Sequence, residues 1–318
     1  MQCEYNGQPT SSEGDASVAE LKCLARAQPS SASEPRQQAS FVKGWCKTVG
    51  ATPLLAVAAN GRVQIWLAPV QAIAEHSNYR EILSASELLA LDQIRSPLLH
   101  DRKLAGRFIL RMALSHAVNW RIGPREWRIQ PDASGRPRIA KSMPQLNFSI
   151  SYAEPVAVVA VSEKFPVGID VETVEDNCTE DLITAFCCPC EQSLLRTGGS
   201  SQNSRDFVRL WTLKEAYTKL VGLGHGIDFD SISFSLDSLH LLHGAAAPAQ
   251  DRNIHFETMW VTSGRTLHHV AIAIDLSAHA SADLQVMTMG GADGGATAIH
   301  VPNVNIWRQT NPQETDRP

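Results

Sequence analysis

Apolar and polar positions along this chain fall into short alternating runs and a few helical stripes. Val63-Gln64-Ile65-Trp66-Leu67 predicts a strand, and residues 86–94 a short helix. Residues 101–119 give the clearest helix, with Leu104, Phe108, Leu110, Met112, Leu114 and Val118 supplying its apolar face. Its first half is basic, through Arg102, Lys103, Arg107 and Arg111. Residues 127–129 predict a short strand, and 132–137 have the Asp, Ser, Gly and Pro chemistry of a turn. Residues 146–150 and 155–162 predict a hairpin. Val167, Ile169 and Val171 alternate with Gly168, Asp170 and Glu172, the pattern of a half-buried strand. Helices follow at 179–186 and 191–195, a Gly/Ser loop at 197–204, and a long helix at 205–221 that Gly222 terminates. Residues 231–236, 254–261 and 268–274 read as strands. Strands and helices without strict alternation predict an α+β fold.

Bulk properties narrow the class. With 43% apolar and 19% charged residues in 318, the composition is that of a globular protein with a sizeable core. A formal net charge of −5 and the lack of any Lys/Arg run argue against a nucleic-acid partner. No apolar run approaches the ~18 residues of a membrane span. The first forty residues are polar and lack the basic and apolar regions of a secretory signal, so cytoplasmic localisation is expected. Among the seven cysteines, Cys187, Cys188 and Cys190 cluster without a histidine or a second cysteine pair at zinc spacing, and read as reduced packing residues.

The carboxylates carry the chemistry. On a strand, Asp170 and Glu172 point to one face and repel each other unless a cation lies between them. In the helix, Glu215 and Lys219 share a face at i and i+4. Three carboxylates on two rigid elements, with a lysine beside them, suit a hard divalent cation that bridges phosphate oxygens. A kinase-like reading lacks a Gly-rich phosphate loop.

In order, these segments resemble the 4′-phosphopantetheinyl transferase superfamily, in its long, monomeric type that activates peptide and polyketide synthetases such as surfactin synthetase. The resemblance spans roughly residues 80–275. Gly135-Arg136-Pro137 stands at the family's Gly-Lys-Pro turn, and Asn147-Phe148-Ser149-Ile150-Ser151 at its Asn-x-Ser-His-Ser strand. The Gly-[Ile/Val]-Asp-x-Glu strand is matched by residues 168–172 and the Phe-x(3–4)-Glu segment by 186–191. Trp211-Thr212-Leu213-Lys214-Glu215-Ala216-Tyr217-Thr218-Lys219 matches the Trp-[Ser/Thr]-x-Lys-Glu-Ala-x-x-Lys helix throughout.

The resemblance implies two similar α+β halves related by a pseudo-twofold axis, with coenzyme A bound between them. The expected division is a flexible extension at 1–40, halves at 41–163 and 164–278, and a loose tail at 279–318. The implied activity is Mg²⁺-dependent transfer of 4′-phosphopantetheine from coenzyme A to a serine of an apo acyl or peptidyl carrier domain, releasing adenosine 3′,5′-bisphosphate. By the same resemblance Asp170, Glu172 and Glu215 are metal ligands. Glu191 is the base, directly or through water, and Lys219 stabilises the leaving phosphate. Arg102, Arg136, Ser149, Lys214 and Lys219 are expected to contact coenzyme A.

Two positions depart from the family. Ile150 replaces its phosphate-binding histidine, and Glu87, Leu88 and Leu89 stand where relatives often carry lysines. An alternative reading is therefore a catalytically weakened relative kept as a coenzyme A or carrier-binding module.

Overall fold

A computed structural model describes residues 46–54, 61–75, 79–132, 135–175, 178–197, 200–222, 227–243, 253–276, 282–289 and 299–300. The expected extension at 1–40 lies outside these residues. In chain order the strands are β1 (Cys46–Leu54), β2 (Arg62–Pro69), β3 (Ile129–Pro131), β4 (Pro137–Ile139), β5 (Asn147–Ala153), β6 (Val156–Ser162), β7 (Val167–Thr173), β8 (Ser233–Ser235), β9 (His240–His243), β10 (Ile254–Ser263), β11 (Thr266–Asp275), β12 (Ala282–Met289) and β13 (Ile299–His300). One sheet has the order β1-β12-β2-β6-β5 and another β13-β10-β11-β7. β3 with β4 and β8 with β9 form small separate ribbons.

The same connectivity occurs twice. β2 leads through the basic helix Pro97–Ala117 to the β5–β6 hairpin, whose second strand pairs antiparallel with β2. β7 leads through the motif helix Ser200–Val221 to the β10–β11 hairpin, whose second strand pairs antiparallel with β7. Period-2 patterning assigns the faces. Val167, Ile169 and Val171 join Val63, Ile65, Val158, Val270 and Ile272 in a core shared by the two sheets. The opposite face of β7, carrying Gly168, Asp170 and Glu172, turns toward the motif helix, where Ala216 and Tyr217 pack on Ala271 and Ala273. The basic helix covers the outer face of the other sheet through Phe108 and Met112.

Local sequence sets the helix ends. Ser96 caps the basic helix by accepting from the Leu99 backbone, and Pro97 occupies its first turn. Asn119 and Trp120 take left-handed conformations, and the Trp120 N–H closes back on the Ser115 carbonyl, ending the helix at Ala117. Glu87 forms a capping box with Ser84 and an ion pair with buried Arg111, 2.7 Å away. The acidic residue at this departure from the family pattern therefore has a structural partner.

The motif helix begins at Ser200, inside the stretch expected to be a loop, and Gly222 ends it with φ +78°. The expected loose tail also contains β12, which inserts between β1 and β2. Alternation buries Ala282, Leu284 and Val286 on one face and Met287 and Met289 on the other. The rest of that tail, apart from β13, lies outside the described residues. No helix among the described residues is long and apolar enough to cross a membrane.

Candidate active site

The site is built where the motif strand touches the motif helix. A Cβ on Gly168 would overlap the Ala216 carbonyl oxygen and the Leu220 backbone nitrogen, so this strand and helix approach as closely as only glycine allows. That contact sets Asp170 and Glu172 against the helix face bearing Trp211, Glu215 and Lys219.

Asp170 is 2% exposed. Its Oδ1 accepts from Ser151 Oγ at 2.6 Å and from Lys219 Nζ at 2.5 Å, while Lys219 Nζ also donates to Ser151 Oγ at 2.9 Å. Its Oδ2 is buried with no hydrogen-bond partner among the described residues. Burial pushes the Asp170 carboxyl up, against the opposing pull of the Lys219 charge and the Ser151 hydroxyl. Glu172 Oε1 accepts from the Trp211 indole at 3.0 Å. Burial, then repulsion from Asp170, pushes Glu172 up to about 7, and Glu215 adds to the repulsion. The Trp211 ring that holds Glu172 is itself seated, stacked on Phe229 with centroids 5.2 Å apart and edge-on to Phe186 at 4.5 Å.

Beside Glu172 lies a cavity of about 390 Å³, walled by Trp211, Phe207, Leu182 and Tyr152. Arg102 lies on its wall and pairs with Glu154 at 3.3 Å. The cavity thus presents the carboxylates of Glu154, Glu172 and Glu175, the Arg102 guanidinium and an apolar wall.

These residues fit a hard divalent cation. The donors are all carboxylate oxygens, one of them bare and buried, and the repulsion that raises Glu172 is what a cation would relieve. Among the described residues no three His, Cys, Asp or Glu side chains close around an ion. An open half-shell is the form suited to Mg²⁺, which keeps waters and takes one or two carboxylates plus substrate phosphates.

Other expected site residues lie elsewhere. Ser149 is buried, and its Oγ accepts from the Ile169 backbone at 3.1 Å, latching β5 to β7. Glu191 and Lys214 are paired with each other at 2.6 Å, each side chain 1% exposed. Glu191 also accepts from the Cys188 and Phe234 backbones, and Lys214 donates to the Phe186 and Phe229 carbonyls. The Lys214 contacts tie the motif helix to its neighbours, and the Glu191 contacts tie the start of helix Pro189–Thr197 to Phe234. Glu191, expected as the base, and Lys214, expected as a ligand contact, form a buried pair with each other, and neither lines the cavity beside Glu172. Arg136 donates to the Lys219 carbonyl at 2.7 Å, at the C-terminal end of the motif helix, where a cation complements the helix dipole. It lines a separate groove of about 300 Å³ with Arg138, Gln145 and Asn147. Ile150 is half-buried against the core beneath the basic helix, on the opposite face of β5 from Ser151.

Two further residues of the motifs contribute: Ser151, which joins Asp170 to Lys219, and Trp211, whose indole holds Glu172. The signal for Ser151 is its period-2 spacing from Ser149.

A family model described as the 4′-phosphopantetheinyl transferase superfamily matches residues 166–270. A 4′-phosphopantetheinyl transferase HetI of Nostoc is 30% identical over 51% of this chain and 69% of its own. A phosphopantetheinyl transferase of Thraustochytrium is 28% identical over 55% of this chain and 66% of its own. A 4′-phosphopantetheinyl transferase of Bacillus subtilis is 32% identical over 42% of this chain and 58% of its own. A crystal structure of a holo-(acyl-carrier-protein) synthase from Bacillus anthracis in complex with CoA aligns over 32% of this chain at 21% identity and a TM-score of 0.29, too low to bear on the fold.

Proposed function

The chain belongs to the 4′-phosphopantetheinyl transferase superfamily, and from that premise we propose that it moves the phosphopantetheine arm of coenzyme A onto a serine of an apo acyl or peptidyl carrier domain. Adenosine 3′,5′-bisphosphate leaves. The observation that carries this reading is the Asp170, Ser151 and Lys219 cluster, with a bare Asp170 oxygen two residues along β7 from the cavity-lining Glu172.

In this reading Asp170, Glu172 and Glu215 hold Mg²⁺, which when bound would offset charge on the pyrophosphate oxygens. Trp211 keeps the Glu172 carboxylate oriented, and Ser151 keeps the Lys219 amine against Asp170. The Lys219 ammonium is the donor closest to hand for a leaving phosphate oxygen, acting as a compact point charge. Arg102 supplies a cation on the cavity wall, and Arg136 another in its separate groove, for the nucleotide phosphates. The resemblance gives the serine proton to Glu191, directly or through water; in this chain Glu191 is paired with Lys214 and does not line the cavity beside Glu172.

The repeated strand–helix–hairpin connectivity supports two halves related by a pseudo-twofold axis with coenzyme A between them, near the expected division at 163/164. We extend the reading to a cytoplasmic monomer that serves peptide or polyketide synthetases. The competing reading, a weakened coenzyme A or carrier-binding module, draws on Ile150, an apolar residue in place of the family's histidine.

Transfer of a fluorescent pantetheine from its coenzyme A conjugate to an apo carrier separates the two. The enzyme gives Mg²⁺-dependent labelling; a carrier that binds yet stays unlabelled at high donor concentration establishes the module.

A further inference from the structure

The start of helix Pro189–Thr197 brings two thiols into contact, Cys188 just before it and Cys190 in its first turn. Cys188 Sγ and Cys190 Sγ lie 2.6 Å apart, inside the usual separation of two unbonded sulfur atoms. Both are free, Cys190 is exposed and Cys188 is buried. The Cys188 backbone N–H is pinned to Glu191, and Glu191 to Lys214, so this segment is fixed where the sulfurs meet. Cys187, by contrast, is buried in the cluster beneath the motif helix.

We propose that Cys188 and Cys190 form an oxidation site that a small hydroperoxide converts to an intramolecular disulfide and a dithiol reopens. Neither the transferase chemistry nor its metal is needed for this. The exposed Cys190 sulfur attacks the peroxide, the O–O bond breaks, and a sulfenic acid forms as the alcohol or water departs. The Cys188 sulfur then attacks the Cys190 sulfur, the S–S bond forms, and the hydroxyl leaves as water with the Cys188 proton. Two electrons pass from the two thiols to one peroxide. Access and order follow from burial: solvent reaches Cys190, and Cys188 stands behind it as the resolving thiol. Burial, with the hydrogen bond it shares with Cys190, pushes the Cys188 thiol up to about 11, which keeps it protonated and poorly reactive toward peroxide itself.

Cys187 and Cys190 also stand three apart, so the test has to separate the two possible linkages. The full chain is exposed to hydrogen peroxide, denatured, and its remaining thiols blocked with one alkylating reagent. It is then reduced with a dithiol, alkylated with a second reagent, digested and sequenced by tandem mass spectrometry. The expected result is the second label on Cys188 and Cys190 with the first on Cys187, and complete loss of the second label at Cys188 in Cys190→Ser. Second label on Cys187 or Cys178, or Cys190 driven to sulfinic acid while Cys188 carries the first label, overturns the proposal. Wild-type label positions decide the matter even if a variant fails to fold.

Discussion

A buried carboxylate that is satisfied at one oxygen and bare at the other costs stability unless something returns to fill the gap. Asp170 is such a group, held from one side by Ser151 and Lys219. Asp170→Asn keeps the volume and an acceptor oxygen but removes the charge. It should lower carrier labelling at saturating coenzyme A by at least about a hundredfold, the order seen when charge stabilisation is lost at a reacting centre. Circular dichroism should show the fold retained. The buried Glu191–Lys214 pair leads to the opposite expectation. Glu191→Gln leaves the Lys214 charge uncompensated in the interior and should cost about 3–5 kcal/mol in urea unfolding. The folded fraction should keep the pH–rate profile of the parent, because Glu191 does not face the cavity. A shifted profile would restore Glu191 as the base. Asp170, Glu172 and Glu215 were legible because each sits in an extended motif whose period fixes its face. The partner of Glu191 was not: a glutamate at a helix start looks the same whether its partner is solvent, ligand or a buried lysine 23 residues along the chain.

At the scale of elements, one contact governs the site: β7 lies on the motif helix at Gly168. Gly168→Ala meets backbone atoms rather than flexible side chains, so helix and strand must part. Thermal unfolding should show a loss of about 1–3 kcal/mol, and labelling should fall by more than that loss explains, because Asp170 and Lys219 separate. Labelling unchanged at the parent level would show that the strand–helix spacing does not set the site. The motif strand and helix were readable from their own periods, 2 and 3.6. β12 was not, since its partners β1 and β2 lie at the other end of the chain and its flanks are Gly- and Ala-rich. The start of the motif helix at Ser200 was hidden for a related reason: serines favour loops locally, and tertiary packing overrode that preference.

For the whole molecule, the helix–sheet–sheet–helix arrangement encloses two fully buried histidines on β11. Burial lowers His268 to about 4 and His269 to about 3. Both stay neutral in the folded chain while the unfolded chain takes up protons near pH 6.5, so the two histidines contribute stability that is full above that pH and is lost as pH drops from about 6.5 toward 4, while the raised Glu172 carboxyl acts in the opposite sense between about 4.5 and 7. The slope is up to roughly 1.4 kcal/mol per pH unit for each histidine. His269→Leu removes one histidine's share, so as pH drops across that window its urea midpoint should fall less, relative to its value at pH 7, than that of the parent. An equally steep decline in the variant would assign it to other groups. The α+β class was evident from the run of elements. How the two sheets share a core was not, because apolar strands covered on both faces do not say what covers them.

The most direct test of the account is the intact mass of an apo carrier domain incubated with unlabelled coenzyme A. With the full chain and Mg²⁺ present, the carrier should gain one phosphopantetheine on its serine, and neither chelation of the metal nor Asp170→Asn should permit that gain at a comparable rate. A carrier that stays at its apo mass with Mg²⁺ and saturating coenzyme A, or one modified equally well by Asp170→Asn, would contradict it.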